Sequence, residues 1–249
     1  MANDTSWNKS ADWYNELLNT DGTYQKDLIL PNLLRLITSK PGEKILDLGC
    51  GQGFFSRELE KGGAKLYGVD NSVKLITLAK ENSPKSISYQ VGSADNLSFL
   101  KETFDKIIMV LSLQNMEKAD LVIKECAKKI KKGGNLYIVM NHPCFRIPGK
   151  SSWDWDEKNK IQYRRMDAYL SESKNKIVMH PGEKNSETTS SFHRPLQYYF
   201  KHLQKSGFAV ERIEEWVSEK KTTPGPRAVA IDRARAEFPL FLFIQAKAN

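Results

Sequence analysis

The residues with the clearest capacity for chemistry are one carboxylate and three glycines, Asp47, Gly49, Gly51 and Gly53. They fall in the stretch Lys44 to Ser56, KILDLGCGQGFFS. A short apolar run reaches Asp47, glycines then occupy alternate positions, and a helix-forming run follows. That order predicts a buried strand, a tight glycine turn and a helix N-terminus, which together make a cradle for a cofactor. Dinucleotide sites need glycines at G-x-G-x-x-G, the third one admitting close packing of helix on strand. The third slot here is Phe54, and a bulky ring there argues against NAD or FAD. The phosphate loop of nucleotide hydrolases needs Gly-Lys-Ser/Thr after the turn, and none follows.

A second carboxylate, Asp70, ends the next apolar run, Lys65 to Asp70. An acid at that point can accept hydrogen bonds from both hydroxyls of a ribose. Each bond to a charged acceptor contributes about 1.5–3 kcal/mol, enough to set affinity. The elements that must position these groups follow from periodicity and stop signals. FFSRELEKGG reads as a helix closed by Gly62-Gly63, and Val73 to Glu81 as a second helix. A strand is expected near Ile87 to Val91, before Gly92-Ser93-Ala94-Asp95-Asn96, and a fourth from Phe104 to Leu113. ADLVIKECAKKIKKGG reads as a helix stopped by Gly133-Gly134, and Asn135 to Met140 as a fifth strand. Strands alternating with helices imply a parallel sheet with right-handed crossovers.

The pattern D-x-G-x-G-x-G from Asp47 to Gly53, followed in order by Asp70 and Asp95, resembles class I S-adenosylmethionine (SAM) methyltransferases. The resemblance is close over about residues 42–142 and looser over 192–247. It implies an α/β, Rossmann-like fold: a seven-stranded, mostly parallel sheet of order 3-2-1-4-5-7-6, flanked by helices, with an insertion after strand five. A single domain, 1–249, would then comprise an N-terminal helical cover (1–40), a SAM-binding half (41–141), a substrate-covering insertion (142–190) and a C-terminal substrate-side half (191–249). The implied cofactor is SAM, leaving as S-adenosylhomocysteine. Its expected contacts are Asp47, Gly49, Cys50, Gly51 and Gly53 in the turn, Asp70 and Asn71 at the ribose, Ala94 and Asp95 at the adenine, and Leu111.

Ligands of open parallel sheets bind beyond the carboxyl ends of the strands. That places Ser112, Gln114 and Asn115 after strand four and Asn141, His142 and Cys144 after strand five. Methyl transfer from a sulfonium is an in-line displacement, so alignment and exclusion of water matter most. A base helps where the nucleophile carries a proton, and histidine suits that task. His142 is the first candidate and His193 the second. Gln114, Asn141, Trp153 and Arg194 are expected at the substrate, with Arg194 able to pair a carboxylate or phosphate. Each of these has an equally ordinary structural role open to it, as a buried hydrogen-bonded side chain or a loop cap. Asn141-His142-Pro143-Cys144-Phe145 departs from the N-P-P-Y/F motif of amino-methylating enzymes, since it follows strand five and has His in place of the first proline. Cys144 could serve as a thiolate nucleophile of the kind that adds to pyrimidines.

Residues 1–40 are expected to form helices, with Trp13, Tyr14 and Tyr24 as aromatic contacts over the cofactor or the sheet edge. The stretch from His142 to about Ser190 is too long for an ordinary connection. It holds Trp153, Trp155, Tyr163 and Tyr169, and a helix is expected over Gln162 to Tyr169. Pro195 and Gly207 bracket a further helix. AVERIEEWV reads as strand six, KTTPGPRAVAIDRARAEF as a long loop with a short helix, and PLFLFIQAKA as the last strand.

The chain has 249 residues, 40% of them hydrophobic, and a net charge of +8 concentrated beyond residue 141. No apolar run reaches the length of a membrane span, so no membrane partner is expected. MANDTSWNKS lacks a basic-then-apolar signal, and three widely spaced cysteines read as reduced thiols of a cytoplasmic protein. Paired Cys/His spacing for a metal is absent. These features point to a methyltransferase acting on oxygen or nitrogen of a small molecule, with an anionic acceptor open. Two alternatives stand beside it: RNA methylation, suggested by the basic excess, and a SAM-binding protein without catalysis.

Overall fold

The computed structural model describes residues 6–178 and 187–249. The expected insertion includes residues 179–186, which lie outside the described residues.

The central sheet takes β1 (Lys44–Leu48), β2 (Lys65–Asp70), β3 (Ser88–Val91), β4 (Phe104–Val110) and β5 (Ile130–Asn141) from the first part of the chain. Two hairpins follow, β6 (Ser151–Asp156) with β7 (Ile161–Met166), and β8 (Ser173–Val178) with β9 (Thr188–His193). The sheet is completed by β10 (Phe208–Trp216) and β11 (Phe241–Ala248). Its order is β3-β2-β1-β4-β5-β11-β10, with β11 antiparallel to both neighbours. This is the expected 3-2-1-4-5-7-6 arrangement with an insertion after strand five.

The central strands are apolar on both sides because helices cover both faces. Leu46 and Leu48 of β1 pack with Val122 and Ile123 of α6 (Ala119–Lys129) and Leu203 of α7 (Leu196–Lys205). Ile45 enters the opposite cluster with Leu33 of α3 (Leu30–Leu36) and Leu59 of α4 (Phe54–Glu60). The remaining α-helices among the described residues are α1 (Ser6–Lys9), α2 (Ala11–Asn19), α5 (Val73–Glu81) and α8 (Ala228–Glu237), and a π-helical turn, Gln25–Ile29, leads into α3. Ser72 caps α5, its hydroxyl accepting from the Leu75 amide at 3.2 Å. Among the described residues no helix is long and apolar enough to cross a membrane.

Four local expectations change. No helix occurs over Gln162 to Tyr169; Ile161–Met166 is the second strand of a hairpin. The turn decides it: the Asp156 carboxylate accepts from the Lys158 and Asn159 amides at 2.9 and 3.0 Å, and Lys160 adopts φ +54°. Helix α6 stops at Lys129, before Gly133-Gly134, because Ile130 already pairs with Phe104 of β4. The fourth strand ends at Val110, since Leu111 turns to φ +54° and Leu113–Asn115 forms one tight helical turn. The expected short helix in Lys221 to Phe238 is the ten-residue α8.

Candidate active site

The loops after β1, β2 and β4 open onto a cavity of about 380 Å³ beyond the carboxyl ends of the strands. Gly49, Gly51, Asp70, Asn71, Ala94, Asp95 and Leu111 line it together. Parallel pairing explains the convergence: β1 sits between β2 and β4 in register, Asp47 opposite Gly68 on one side and Ile108 on the other. The turn after β1 is fastened to β2, since the Gly49 and Cys50 amides both donate to the Val69 carbonyl at 2.7 and 3.1 Å.

Gly49 has φ +77°, and a Cβ there would lie 2.5 Å from Cβ of Ser112. Only glycine permits both the left-handed backbone and the approach of β1's turn to the end of β4. Asp70 accepts from the Gly51 amide at 3.0 Å and from the Ser72 amide at 2.9 Å, while its carboxylate still faces the cavity. Burial pushes its pKa up, and the Ser72 and Gly51 amide bonds oppose that. At the other end Asp95 accepts from the Ser93 hydroxyl at 2.5 Å and faces Lys118 at 3.4 Å, which hold its carboxyl below the usual range.

Three expected cofactor residues sit behind this wall. Asp47 is 2% exposed and accepts from the Ser56 hydroxyl at 2.6 Å. Burial lifts its pKa to about 7, with Asp70 adding to the rise. Cys50 packs against β2 at Gly68, and burial raises its thiol well above the usual range. Gly53, at φ +82°, begins α4 beneath the Tyr89 hydroxyl. These three shape the turn and do not line the cavity.

The residues at the wall fit SAM. Asp70 offers acceptor oxygens to a ribose diol, Ser93 and Asp95 offer a polar edge to an adenine amine, and the Gly49–Gly51 turn leaves space where side chains would stand. Trp7, Tyr14, Lys174, Ser190 and Phe192 close the cavity from α1, α2, β8 and β9. Of these, the sequence singled out only Tyr14, as an aromatic on a covering helix.

A second cavity of about 420 Å³ adjoins the first and shares Trp7, Tyr14, Leu111 and Asn115 with it. Gln114, Asn141, Arg146 and Arg164 line it. The sequence pointed to Gln114 and Asn141 from strand ends. It gave no signal for the two arginines, which reach this space through the insertion.

The expected bases lie elsewhere. His142 is 1% exposed; its Nε2 donates to Glu215 at 2.6 Å and its Nδ1 accepts from the Cys144 amide at 3.2 Å. Burial lowers its pKa, against the pull of Glu215. His193 donates from Nε2 to the Tyr169 carbonyl at 2.7 Å. Neither histidine lines either cavity. Arg194 is likewise buried, its Nη2 donating to the Met116 and Glu117 carbonyls at 3.1 and 2.6 Å. It clamps the segment before α6 to the start of α7 and lines neither cavity. Trp153 packs edge-on against Phe238 and carries Arg164 over its ring, so it supports the second cavity without lining it. Cys144 is half-buried and its thiol is pushed up by burial, the wrong direction for a thiolate nucleophile. Among the described residues no three His, Cys, Asp or Glu side chains gather as a metal site.

Residues 46–138 match the model of a family described as a methyltransferase domain. A ubiquinone biosynthesis O-methyltransferase of Coxiella burnetii is 36% identical over 138 residues, which cover 52% of this chain and 56% of that protein. The chain thus spans about half the length of the curated relatives it matches. The crystal structure of an S-adenosylmethionine-dependent methyltransferase from Mesorhizobium loti superposes with a TM-score of 0.71 at 26% identity, covering 91% of this chain and 99% of that one. A second such structure, from Clostridium acetobutylicum, gives a TM-score of 0.62 at 17% identity over 98% and 99% of the two chains, a likeness of fold. With the glycine turn, the Asp70 and Asp95 positions and the sheet order already in place, residues 46–138 are similar to that methyltransferase domain and the chain has the class I SAM-dependent methyltransferase fold.

Proposed function

We propose that the protein transfers the methyl group of SAM to an oxygen or nitrogen of a small-molecule acceptor. The observation that carries the reading is the meeting of two cavities at one wall, Leu111 and Asn115, under a roof of Trp7 and Tyr14. One cavity has the cofactor cradle; the other has the volume of a small-molecule site.

SAM supplies a methyl already activated by the positive sulfur. The chain's own residues then have three tasks. Gly49, Gly51 and Asp70 hold the cofactor; Leu111 and Asn115, at the strained end of β4, define where the two cavities join; Trp7 and Tyr14 exclude water. Among the described residues no histidine or carboxylate lines the second cavity. Tyr14 is raised above its ordinary value by burial, with Asp70 and Asp47 adding to the shift, so it stays protonated and serves as a donor. Alignment therefore carries the catalysis, and the acceptor either gives its proton to solvent or arrives already ionised.

The test is transfer of labelled methyl from SAM into a cell extract separated into small molecules, RNA and protein. Label in the small-molecule fraction supports the proposal. Label in RNA overturns the acceptor class and keeps methyl transfer. Absence of label, with SAM bound, overturns the activity in that extract.

A further inference from the structure

The second cavity contains two cations that no carboxylate among the described residues neutralises. Arg146 and Arg164 both line it, and among the described residues neither has a carboxylate within ion-pair distance. The contrast is with Arg35, Arg165, Arg194, Arg212 and Arg227, each of which has one. Nor does any acid among the described residues line the cavity.

Both heads are held in place by neutral partners. Arg146 donates from Nη1 to the Asn141 side-chain oxygen at 2.7 Å and lies over the Phe241 ring. Arg164 donates from Nε to the Phe145 carbonyl and from Nη2 to the Ser151 hydroxyl, both at 2.8 Å, and lies over Trp153. A guanidinium has five N–H donors, so each keeps several for a ligand. Burial lowers the pKa of Arg146, and the charge of Arg164 lowers it further. The two cations repel each other across a space that an oxyanion would fill, and an anion there forms charge-assisted, fork-shaped hydrogen bonds.

A second observation points to the same space. Gln114 is 8% exposed, lines the cavity, and its side-chain oxygen is buried with no partner. A buried amide left unpaired costs free energy unless a ligand completes it. Gln114 follows Leu111 and adjoins Asn115, at the wall shared with the cofactor cavity. A hydroxyl or amine donating to Gln114 there stands beside the cofactor, while the arginines hold the other end of the same molecule.

We propose that the acceptor is a small molecule with a carboxylate or phosphate bound by Arg146 and Arg164, and a hydroxyl or amine, the methylated group, presented to Gln114. The inference rests on the two-cavity reading above and adds the acceptor's chemistry to it. Its anion is an anchor and not the nucleophile.

The test uses the full-length protein saturated with S-adenosylhomocysteine, titrated with benzoate, phenyl phosphate and benzamide and followed by ligand-observed NMR. Benzoate or phenyl phosphate should bind at least about tenfold more tightly than the isosteric neutral benzamide. The tighter of the two identifies the anion. Arg146→Gln and Arg164→Gln should each weaken anion binding about tenfold or more and leave benzamide unchanged; Arg164→Lys should recover part of the loss. Neither arginine lines the cofactor cavity, so affinity for S-adenosylhomocysteine reports folding in every variant. Benzamide binding as well as the anions, anion binding indifferent to both arginines, or no anion binding overturns the proposal. Loss of S-adenosylhomocysteine binding by the unaltered protein is the separate failure of the methyltransferase reading.

Discussion

Asp70 and Gly51, nineteen positions apart, are joined by a 3.0 Å hydrogen bond from the glycine amide to the carboxylate. The acid at the end of β2 thus has two roles: it faces the cofactor cavity and it holds the glycine turn of β1 in shape. Asp70→Ala removes both. SAM affinity should fall at least about tenfold, measured by calorimetry. Asp70→Asn keeps an acceptor and should fall less. Equal affinity in all three proteins would remove Asp70 from the cofactor site.

Gly49 is constrained by backbone and by space. Alanine at φ +77°, with its Cβ 2.5 Å from Cβ of Ser112, forces β1's turn away from the end of β4. Gly49→Ala should cost about 1–3 kcal/mol of stability and abolish SAM binding. Thermal unfolding with and without SAM checks both. A ligand-dependent rise in melting temperature equal to that of the unaltered protein would contradict the assignment.

Asp47 links stability to pH. Its folded pKa is raised by burial, and further by Asp70, to about 7 from an ordinary value of 3.8. Between those values the folded state keeps a proton that the unfolded chain releases. This contribution therefore falls as pH rises through the window and is at its worst above pH 7. Asp47→Asn has no such charge to bury and can still accept from Ser56. Relative to the unaltered protein it should gain stability as pH rises from about 4 to about 8, in denaturant unfolding. A difference that is flat with pH would show that Asp47 ionises normally.

His142 runs the other way. Burial depresses its pKa below the ordinary 6.5, against the opposing bond from Glu215. Its neutral form stabilises the fold above that value, and this contribution is lost as pH falls below it. His142→Gln should lower stability by about 1–3 kcal/mol near pH 8, with the deficit shrinking towards pH 5. Turnover of a methylated acceptor should change less than about tenfold, because the residue lies outside both cavities. A much larger fall in kcat with unchanged stability would return His142 to the chemistry.

The first hairpin of the insertion is separable by geometry, since Ser152 and Arg165 pair across it. Replacing residues 153–164 by Asn-Gly leaves a two-residue turn. SAM affinity should stay within about twofold, because no residue of that hairpin lines the first cavity. Acceptor KM should rise as Arg164 is lost. Weakened SAM binding would mean that the hairpin supports the cofactor site as well.

Much of the cofactor side was legible because it is written in local signals. Alternate glycines after an apolar strand can form only a narrow set of turns, and the acids at the end of β2 and just after β3 arrive at the same edge of a parallel sheet. Sequence separation is small there, so spacing alone brought Gly49, Gly51, Asp70 and Asp95 near one another. The same reasoning misplaced the helix at Gln162 to Tyr169, because a turn bonded through Asp156 outweighed the propensity of a short charged run.

The acceptor side was decided by tertiary structure. A histidine in sequence carries no record of its partner, and only the fold brings Glu215 to His142 and the Tyr169 carbonyl to His193. Arg146 and Arg164 were two among many basic residues until the turn after β5 and the β6–β7 hairpin brought them to one cavity. The sequence by itself determined the alternation of strands and helices and the cradle of the cofactor, since periodicity and turn chemistry act over a few residues; the sheet order came from the family resemblance alone. Which polar side chains are spent on internal bonds, and which are left to meet a ligand, depends on contacts between distant segments, and only the packed structure specifies those.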